Sequence, residues 1–235
     1  MAYKLQYIDR KPSDGNFFSD YGSFGHELLE RWAKGELQAI ALASEYDDLY
    51  NLSVTHDPPP FPKGMSQRYY EAGAKYFEKF SGFGENWEIL AAEEKFSIEI
   101  RGHSFLGIAD LVLRDKETGK ITVIDHKSKS KSSMEKEIDT YRHQLYIYAL
   151  FVKQKYGVYP EKIVFNMFKE GYLIEEVFDS AELEKTEAWI DDTITQIQSD
   201  TSFEASPNDY FCRFLCGVSE FCDHCSKKPD WRKKC

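Results

Sequence analysis

Three charged residues lie in two strand-like segments that are otherwise mostly apolar, GIADLVL at 107–113 and KITVIDHK at 120–127. Because side chains alternate between the faces of a strand, Asp125 and Lys127 share one face, about 7 Å apart at ~3.3 Å per residue. Asp110 joins them if the two segments pair in register. Two close carboxylates repel each other, and a hard divalent cation relieves that repulsion. We therefore expect an Mg²⁺ or Mn²⁺ site that activates water against a phosphodiester, assisted by Lys127.

The competing interpretation is an exposed hairpin with scattered charges, because D-x-K triplets are common by chance. The surrounding residues favour a site. Asp125 follows Ile121, Val123 and Ile124, so it ends a strand whose composition predicts burial. The segment GIAD gives the preceding strand a matching acid after a glycine.

The elements around this hairpin predict one large α/β domain, with a central mixed sheet flanked by helices. Strands are predicted at 87–100, 107–113, 120–127, 162–168 and 171–178. Helices are predicted from near Tyr21, after Ser19 or Asp20 as cap, and at 66–80, 135–155 and 180–198. Residues 1–20 are expected to be irregular, because Pro12, Gly15 and Asn16 break regular structure.

The spacing of these acids and the lysine resembles a known family. G-x-x-D ending at Asp110, followed by I-D-x-K ending at Lys127, resembles the core of the PD-(D/E)xK nuclease superfamily. The likeness extends to its RecB-like exonuclease branch, which includes the CRISPR-associated iron–sulfur exonucleases and many phage proteins. This resemblance implies a restriction-endonuclease-like core and a metal-dependent nuclease.

Three further motifs of that branch match in the same order. GSFGH ends at His26, AAEEKF contains Glu93 with Glu94 as the alternative, and QLYIY runs from Gln144 to Tyr148. The resemblance implies that His26, Asp110, Asp125 and the backbone carbonyl of His126 hold the metal, and that Glu93 assists. Gln144 and Tyr148 lie one helical turn apart and would grip the DNA backbone.

The five cysteines of the chain all lie in its last 24 residues, and four of them, Cys212, Cys216, Cys222 and Cys225, are closely spaced. Four thiolates can surround a 4Fe–4S cluster or a structural Zn²⁺, with His224 as a further zinc ligand. The resembling branch often uses three C-terminal cysteines and one near the N-terminus, whereas this chain has none before Cys212. We predict a nuclease domain over residues 1–200 and a small metal-bound, Cys-rich segment over 201–235 packed on it.

Composition limits the partners. The net charge of −10 argues against a broad surface that coats nucleic acid. The sequence has no apolar run long enough to span a membrane and no signal-peptide core, so we expect a cytoplasmic protein, or one made in a host cytoplasm if phage-encoded. The expected partner is DNA, single-stranded or with duplex ends, and a helicase, recombinase or CRISPR integrase would be a separate protein.

The sequence therefore predicts an Mg²⁺- or Mn²⁺-dependent deoxyribonuclease, an exonuclease by resemblance, acting in recombination, repair or phage replication. One alternative is a catalytically silent nuclease fold that binds DNA or a protein in recombination or CRISPR adaptation. The intact Asp110, Asp125 and Lys127 argue against that alternative. A hydrolase with a cysteine nucleophile is disfavoured, because the cysteines cluster in a polar tail without an upstream histidine pattern.

Overall fold

The computed structural model describes residues 1–206 and 208–226, and the central feature of this part of the chain is a five-stranded mixed sheet. Its strands are β1 (Trp87–Ile100), β2 (His103–Asp115), β3 (Ile121–His126), β4 (Lys162–Met167) and β5 (Tyr172–Val177). The spatial order is β1-β2-β3-β4-β5, and every neighbouring pair is antiparallel except β3 and β4, which run parallel.

Helices flank this sheet, which confirms the predicted α/β architecture with a restriction-endonuclease-like core. They are α1 (Phe17–Ala33), α2 (Leu42–Ser53), α3 (Met65–Lys79), α4 (Lys131–Tyr156), α5 (Ser180–Ser199), α6 (Asp209–Phe214) and α7 (Asp223–Ser226). A parallel strand pair needs a crossover connection, and α4 supplies it between β3 and β4. None of the helices in the described ranges combines the length and apolarity that a membrane crossing requires.

Two apolar layers cover the two faces of the sheet. Val112, Val123 and Phe165 belong to the core formed with α4 and α5. Leu111, Ile124 and Val164 face the other way, towards Trp32 of α1 and Phe83. A third cluster joins α1, α2 and α3 through large aromatic side chains, among them Tyr21, Phe24, Tyr46, Phe77 and Phe168. The central strands β3 and β4 are buried on both faces, which explains their almost unbroken apolar sequence.

Helix α1 begins four residues earlier than predicted, because Asn16 is its cap rather than a breaker. The Asn16 Oδ1 accepts hydrogen bonds from the Phe18 and Ser19 amides, and Ser19 Oγ accepts one from the Asn16 amide. The side-chain chemistry that lets asparagine interrupt a helix also lets it start one. The residues before it are not wholly irregular, since a π-helical turn spans Lys4–Ile8.

The hairpin between β1 and β2 is longer than the sequence indicated. Arg101 and Gly102 both have positive φ, 49° and 80°, as a two-residue type I′ turn requires. This tight turn extends β2 back to His103, so residues 103–106 lie in a strand and not in a connection. Helix α4 likewise starts earlier than predicted, at Lys131, with the Ser130 hydroxyl accepting from the Ser133 amide.

The C-terminal segment 208–226, called the cysteine segment below, packs against the first residues of the chain. Val218 and Cys222 form an apolar cluster with Leu5. The Asp14 amide donates to the Gly217 carbonyl at 3.0 Å. The predicted division of the chain into two parts at residue 200 stays a prediction. Cys235, the fifth cysteine, lies outside the described residues.

Candidate active site

The antiparallel pairing of β2 and β3 brings Asp110 and Asp125 together. The ladder pairs Leu111 with Ile124 and continues towards the two aspartates, which lie on the face of the sheet covered by α4. Asp110 is 7% exposed and Asp125 is 1% exposed. Asp110 Oδ2 accepts a hydrogen bond of 2.7 Å from the His126 amide, which fixes its direction.

Asp125 is a buried carboxylate whose charge is balanced by one neighbouring cation. Lys127 Nζ lies 2.6 Å from its Oδ2. No further hydrogen-bond donor among the described residues reaches the Asp125 carboxylate. Burial raises the pKa of Asp125, and Lys127 opposes that rise. A bound divalent cation would stabilise the charge of this buried carboxylate further.

Lys127 is held by a short chain of side chains from α4. Its Nζ donates to Gln144 Oε1 at 2.8 Å, and Gln144 Nε2 donates to the Tyr148 hydroxyl at 2.6 Å. The ammonium also lies 5.0 Å from the centre of the Tyr141 ring. Gln144 and Tyr148 lie one turn apart on one face as predicted, but here Gln144 binds Lys127, and the buried Tyr148 binds Gln144. Their contact with DNA stays a prediction.

His26 reaches the two strands from α1. Its Nδ1 lies 3.2 Å from Glu93 Oε1 and 3.4 Å from Asp110 Oδ2, and its Nε2 donates to the His126 carbonyl at 2.9 Å. Burial lowers the pKa of His26, but the hydrogen bond to Glu93 and the charges of Asp110 and Glu93 outweigh it, so the net shift is upward. The neighbouring acids therefore favour the protonated form of His26.

The close approach of α1 depends on the residue before His26. A Cβ added to Gly25 would lie 2.4 Å from ring atoms of Phe168, so any larger residue would push the helix away. Phe168 follows β4 directly and belongs to the aromatic cluster beneath α1. Gly25 thus lets His26 reach Asp110 within β2 and the His126 carbonyl at the end of β3.

Glu93 occupies a strained backbone conformation in the middle of β1. Its φ is +47°, in the left-handed region that residues other than glycine rarely adopt. The pairs on either side of it place Glu93 opposite Asp110. The alternation of apolar residues along β1 shifts by one position here. Ala91, at an odd position before Glu93, and Phe96, at an even position after it, both face the α4 core. Local strain of this kind persists where the fold enforces it, and it commonly marks a functional site.

These residues form one compact group. Ligand atoms of His26, Glu93 and Asp110 all lie within 4.8 Å of one another. The His126 carbonyl adjoins the group through its bond to His26, and Asp125 borders it beside Lys127. Nitrogen and oxygen ligands of this kind, with two or more carboxylates, suit Mg²⁺ or Mn²⁺. The donor set of His26, Glu93 and Asp110, with Asp125 beside it, therefore fits a divalent cation.

Asp110 and Asp125 hold protons more tightly than usual when no cation is bound, since the pKa of each is raised. Burial, with the neighbouring charge of Asp125, raises the pKa of Asp110 to about 7. Burial also holds the pKa of His126 well below its ordinary value, so that ring is neutral. Its Nδ1 accepts a hydrogen bond of 3.0 Å from Asn166 Nδ2.

Sequence reasoning missed two neighbours of this group. Asn166 supports the ring of His126 from behind and also donates to the Tyr76 hydroxyl at 2.8 Å. Tyr141 lies beneath Lys127. A signal for Asn166 was present in KIVFNMF, where it is the one uncharged polar residue of an apolar strand, since such a residue needs a partner. Glu94, the alternative to Glu93, pairs instead with Lys155 of α4.

The four predicted tail ligands lie around one cavity of about 320 Å³, which also borders Met1, Leu5 and His224. Cys212, Cys216, Cys222 and Cys225 are free thiols. Burial and hydrogen bonding to Cys212 raise the pKa of Cys225. Unpaired thiols that lie this close suit a soft metal ion or a cluster, which binds them as thiolates. The N-terminal segment reaches the same place but contributes apolar side chains, not a thiol.

Paired acids and a lysine lie together on one face of the central strands, and a histidine from a flanking helix reaches them, an arrangement that fits a nuclease of the restriction-endonuclease type. The sequence model of the PD-(D/E)XK nuclease superfamily matches residues 1–223, so the chain belongs to that superfamily. A solved structure titled "Crystal structure of SSO0001" is similar at 19% identity, covering 85% of each chain, with a TM-score of 0.30. No curated protein sequence matches the chain.

Proposed function

We propose that the chain is an Mg²⁺- or Mn²⁺-dependent deoxyribonuclease, an exonuclease of the RecB-like branch. The observation that carries the proposal is the group of His26, Glu93 and Asp110, whose ligand atoms lie within 4.8 Å of one another beside the buried pair of Asp125 and Lys127. Acids packed this closely repel each other, and a divalent cation relieves the repulsion. Metal-dependent phosphodiester hydrolysis gives every member of the group a role.

The cation would be held by His26, Asp110, Asp125 and the His126 carbonyl. Glu93 lies beside these ligands and would assist them. When bound, the cation supplies a water of lowered pKa and polarises the phosphodiester. Lys127 carries the fixed positive charge of the site and lies where it can orient the attacking water or stabilise charge developing on the phosphate. Binding of the cation would displace the protons of His26 and Asp110, because one ligand atom cannot hold a proton and a metal ion at the same time.

Gln144 and Tyr148 act by positioning Lys127. The lysine side chain has many rotamers, and the hydrogen bond from Nζ to Gln144 selects one. The Tyr148 hydroxyl in turn fixes the Gln144 amide. Preorganised charge of this kind stabilises a transition state without further rearrangement.

Incubation of end-labelled single-stranded, linear duplex and circular DNA, with Mg²⁺, Mn²⁺ or EDTA, tests the proposal. We expect metal-dependent cutting of linear substrates, intact circles, and no cutting by the Asp125→Asn variant. Cutting of circles would contradict the exonuclease assignment while preserving the nuclease. Binding without cutting under every condition would contradict the enzyme and support a silent binding module. A helicase or recombinase would act as a separate partner.

For the cysteine segment we propose a structural 4Fe–4S cluster, with structural Zn²⁺ as the alternative. The four free thiols around one cavity support a thiolate-bound metal, and the resemblance to the RecB-like branch favours iron and sulfur. Anaerobic purification followed by absorption spectroscopy and elemental analysis separates the two. A brown protein with iron supports the cluster, and a colourless protein with one zinc supports the alternative.

A further inference from the structure

A second cavity, of about 810 Å³, lies on the face of the sheet opposite the catalytic acids. Its floor includes Asn166, which pairs with His126 in the β3–β4 ladder and points away from the α4 core. Its walls are α3, the loop that follows α3 and the turn between β4 and β5. The volume suits a small organic ligand or one unit of a polymer.

Aromatic rings form one wall. Tyr76 and Phe80 lie 5.5 Å apart between ring centres, and Phe80 and Phe83 lie 5.7 Å apart. Phe83 also lies nearly parallel to the His126 ring, with 6.4 Å between centres. Each ring is therefore fixed by its neighbours, and together they offer a rigid apolar surface to a flat ligand.

Cationic side chains form the rim. Lys75 and Lys79 lie one helical turn apart on the exposed side of α3, and Lys169 comes from the β4–β5 turn. Among the described residues none of these three lysines has an ion-pair partner, whereas Lys155 and Lys162 pair with Glu94 and Glu175.

Lys169 is the most buried of the three and lies 4.0 Å from the centre of the Tyr69 ring. Burial lowers the pKa of its ammonium, so an anion beside it would be stabilising.

The carboxylates of the lining are already engaged. Glu71 accepts from Gln67 Nε2 at 2.9 Å, and Glu170 accepts from the Lys131 amide at 3.0 Å. Neither carboxylate forms an ion pair with these lysines within the described residues, and Glu170 acts on Lys169 only as a nearby charge. The chain has a net charge of −10. The three lysines beside the aromatic wall therefore form a positive region on a protein that is negative overall.

We infer that this cavity is a nucleotide-binding site, in which the base packs on Tyr76, Phe80 and Phe83 and the phosphate binds Lys75, Lys79 and Lys169. Stacking on aromatic side chains and phosphate contacts with lysine are the interactions through which proteins hold nucleotides without base specificity. The ligand is a free mononucleotide or one unit of a single strand, since both have the same chemistry. The inference does not depend on cleavage, because the cavity shares no side chain with the catalytic group.

Binding is measured on the full chain in EDTA, by calorimetry, with four probes: deoxyadenosine monophosphate, deoxyadenosine, inorganic phosphate and a hexadeoxyadenylate. Deoxyadenosine monophosphate is expected to bind at least about tenfold more tightly than deoxyadenosine or inorganic phosphate alone. Tighter binding of the hexanucleotide than of the monophosphate identifies a strand as the ligand. Equal affinity identifies the mononucleotide.

The variant Lys75→Glu/Lys79→Glu reverses two exposed charges and should weaken monophosphate binding by about tenfold or more, as the loss of charge-assisted hydrogen bonds predicts. The matched control is Lys95→Glu/Lys136→Glu, two exposed lysines elsewhere with the same change in net charge, which should bind as the parent does. Phe83→Leu keeps the apolar volume and should weaken the monophosphate but not phosphate alone.

Equal monophosphate affinity in the Lys75/Lys79 variant and its control would overturn the inference, as would no binding of either nucleotide probe by the parent. Metal-dependent cleavage is assayed separately on the same preparations. A chain that binds the monophosphate but cuts no DNA would preserve this site and refute the nuclease proposal, and the reverse result would do the opposite.

Discussion

The Lys127 ammonium lies 2.6 Å from the Asp125 carboxylate, in a part of the protein from which solvent is nearly excluded. In the absence of a divalent ion the lysine neutralises the acid, and His26 does the same for Glu93 and Asp110. The group is therefore balanced by two cations of its own. A bound metal would replace the positive charge of His26 and free Lys127 to face the substrate.

Asp125→Asn and Lys127→Met should each lower the cleavage rate by at least about a hundredfold. The two losses have different causes. The first removes a metal ligand and should weaken Mn²⁺ binding. The second removes a cation that competes for Asp125, so Mn²⁺ should bind at least as tightly, because ammonium offers no lone pair to a metal. Calorimetric titration of both variants is the measurement. Unchanged Mn²⁺ affinity in Asp125→Asn would refute the ligand assignment.

Metal binding should strengthen as the pH rises from 6 to 8. The pKa of Asp110 is raised to about 7, and that of His26 is raised as well, so at pH 6 the cation must displace protons. Below about pH 7 each displaced proton should cost about tenfold in affinity per pH unit. Mn²⁺ titrations at pH 6, 7 and 8 measure the trend, and identical affinities at all three values would argue against these ligands.

The metal-free protein should show the opposite trend in stability. A carboxyl group whose pKa is raised on folding stabilises the folded state below its unfolded pKa, and this contribution is lost as the pH rises through the folded value. For Asp110 that window runs from about 4 to about 7. Urea unfolding in EDTA should show that Asp110→Asn flattens the loss of stability across this window, while Asp115→Asn, at the partly exposed end of β2, leaves it intact.

His26→Ala should lower Mn²⁺ affinity and the cleavage rate by at least about 10–100-fold. A loss of this size follows even when the residue removed only supports a metal ligand. His56→Ala is the matched control. His56 also contacts α1, through Asp20 at 2.8 Å, but it is exposed and far along the helix from the acids. Greater damage from His56→Ala than from His26→Ala would show that the histidine of the site has been misassigned.

Glu93 and Glu94 are neighbours with different surroundings, which makes them a natural pair for comparison. Glu93→Gln should reduce cleavage and Mn²⁺ affinity, because its carboxylate lies with His26 at the metal group. Glu94→Gln should remove an exposed ion pair with Lys155, worth about 0.2–1 kcal/mol, and leave cleavage unchanged. Equal activity of the two variants would exclude Glu93 from the site.

Cys222→Ser should destabilise the cysteine segment, because three thiolates leave one coordination position open. A loss of about 2 kcal/mol would lower Tm by about 4–8 °C in a chain of this size. Cys235→Ser is the control and is expected to have little effect. Full retention of Tm in Cys222→Ser, together with absence of iron and zinc, would remove the metal from the proposal.

The sequence was most informative where a single strand or helix decides the outcome. The alternation of KITVIDHK placed Asp125 and Lys127 on one face, and hairpin pairing brought in Asp110. Contacts between distant segments were beyond such reasoning. No local pattern tells that Gln144 binds Lys127, that Asn166 supports the His126 ring, or that Glu93 has φ +47°. These depend on how α4 and β4 pack across the sheet. Asn16 was misjudged because the same side chain can break a helix or cap one.

The contact between the cysteine segment and the first residues of the chain has a consequence for folding during synthesis. Leu5 packs with Cys222, and just before the cysteine segment the Glu204 carbonyl accepts a hydrogen bond from the Met1 ammonium, 203 positions away. At roughly 5–20 residues per second, residues 1–14 leave the ribosome on the order of 10–40 s before their partners exist. The sheet and its acids can form in that interval. The contact between residues 1–14 and the cysteine segment can form only afterwards, because it closes a loop of about 200 residues.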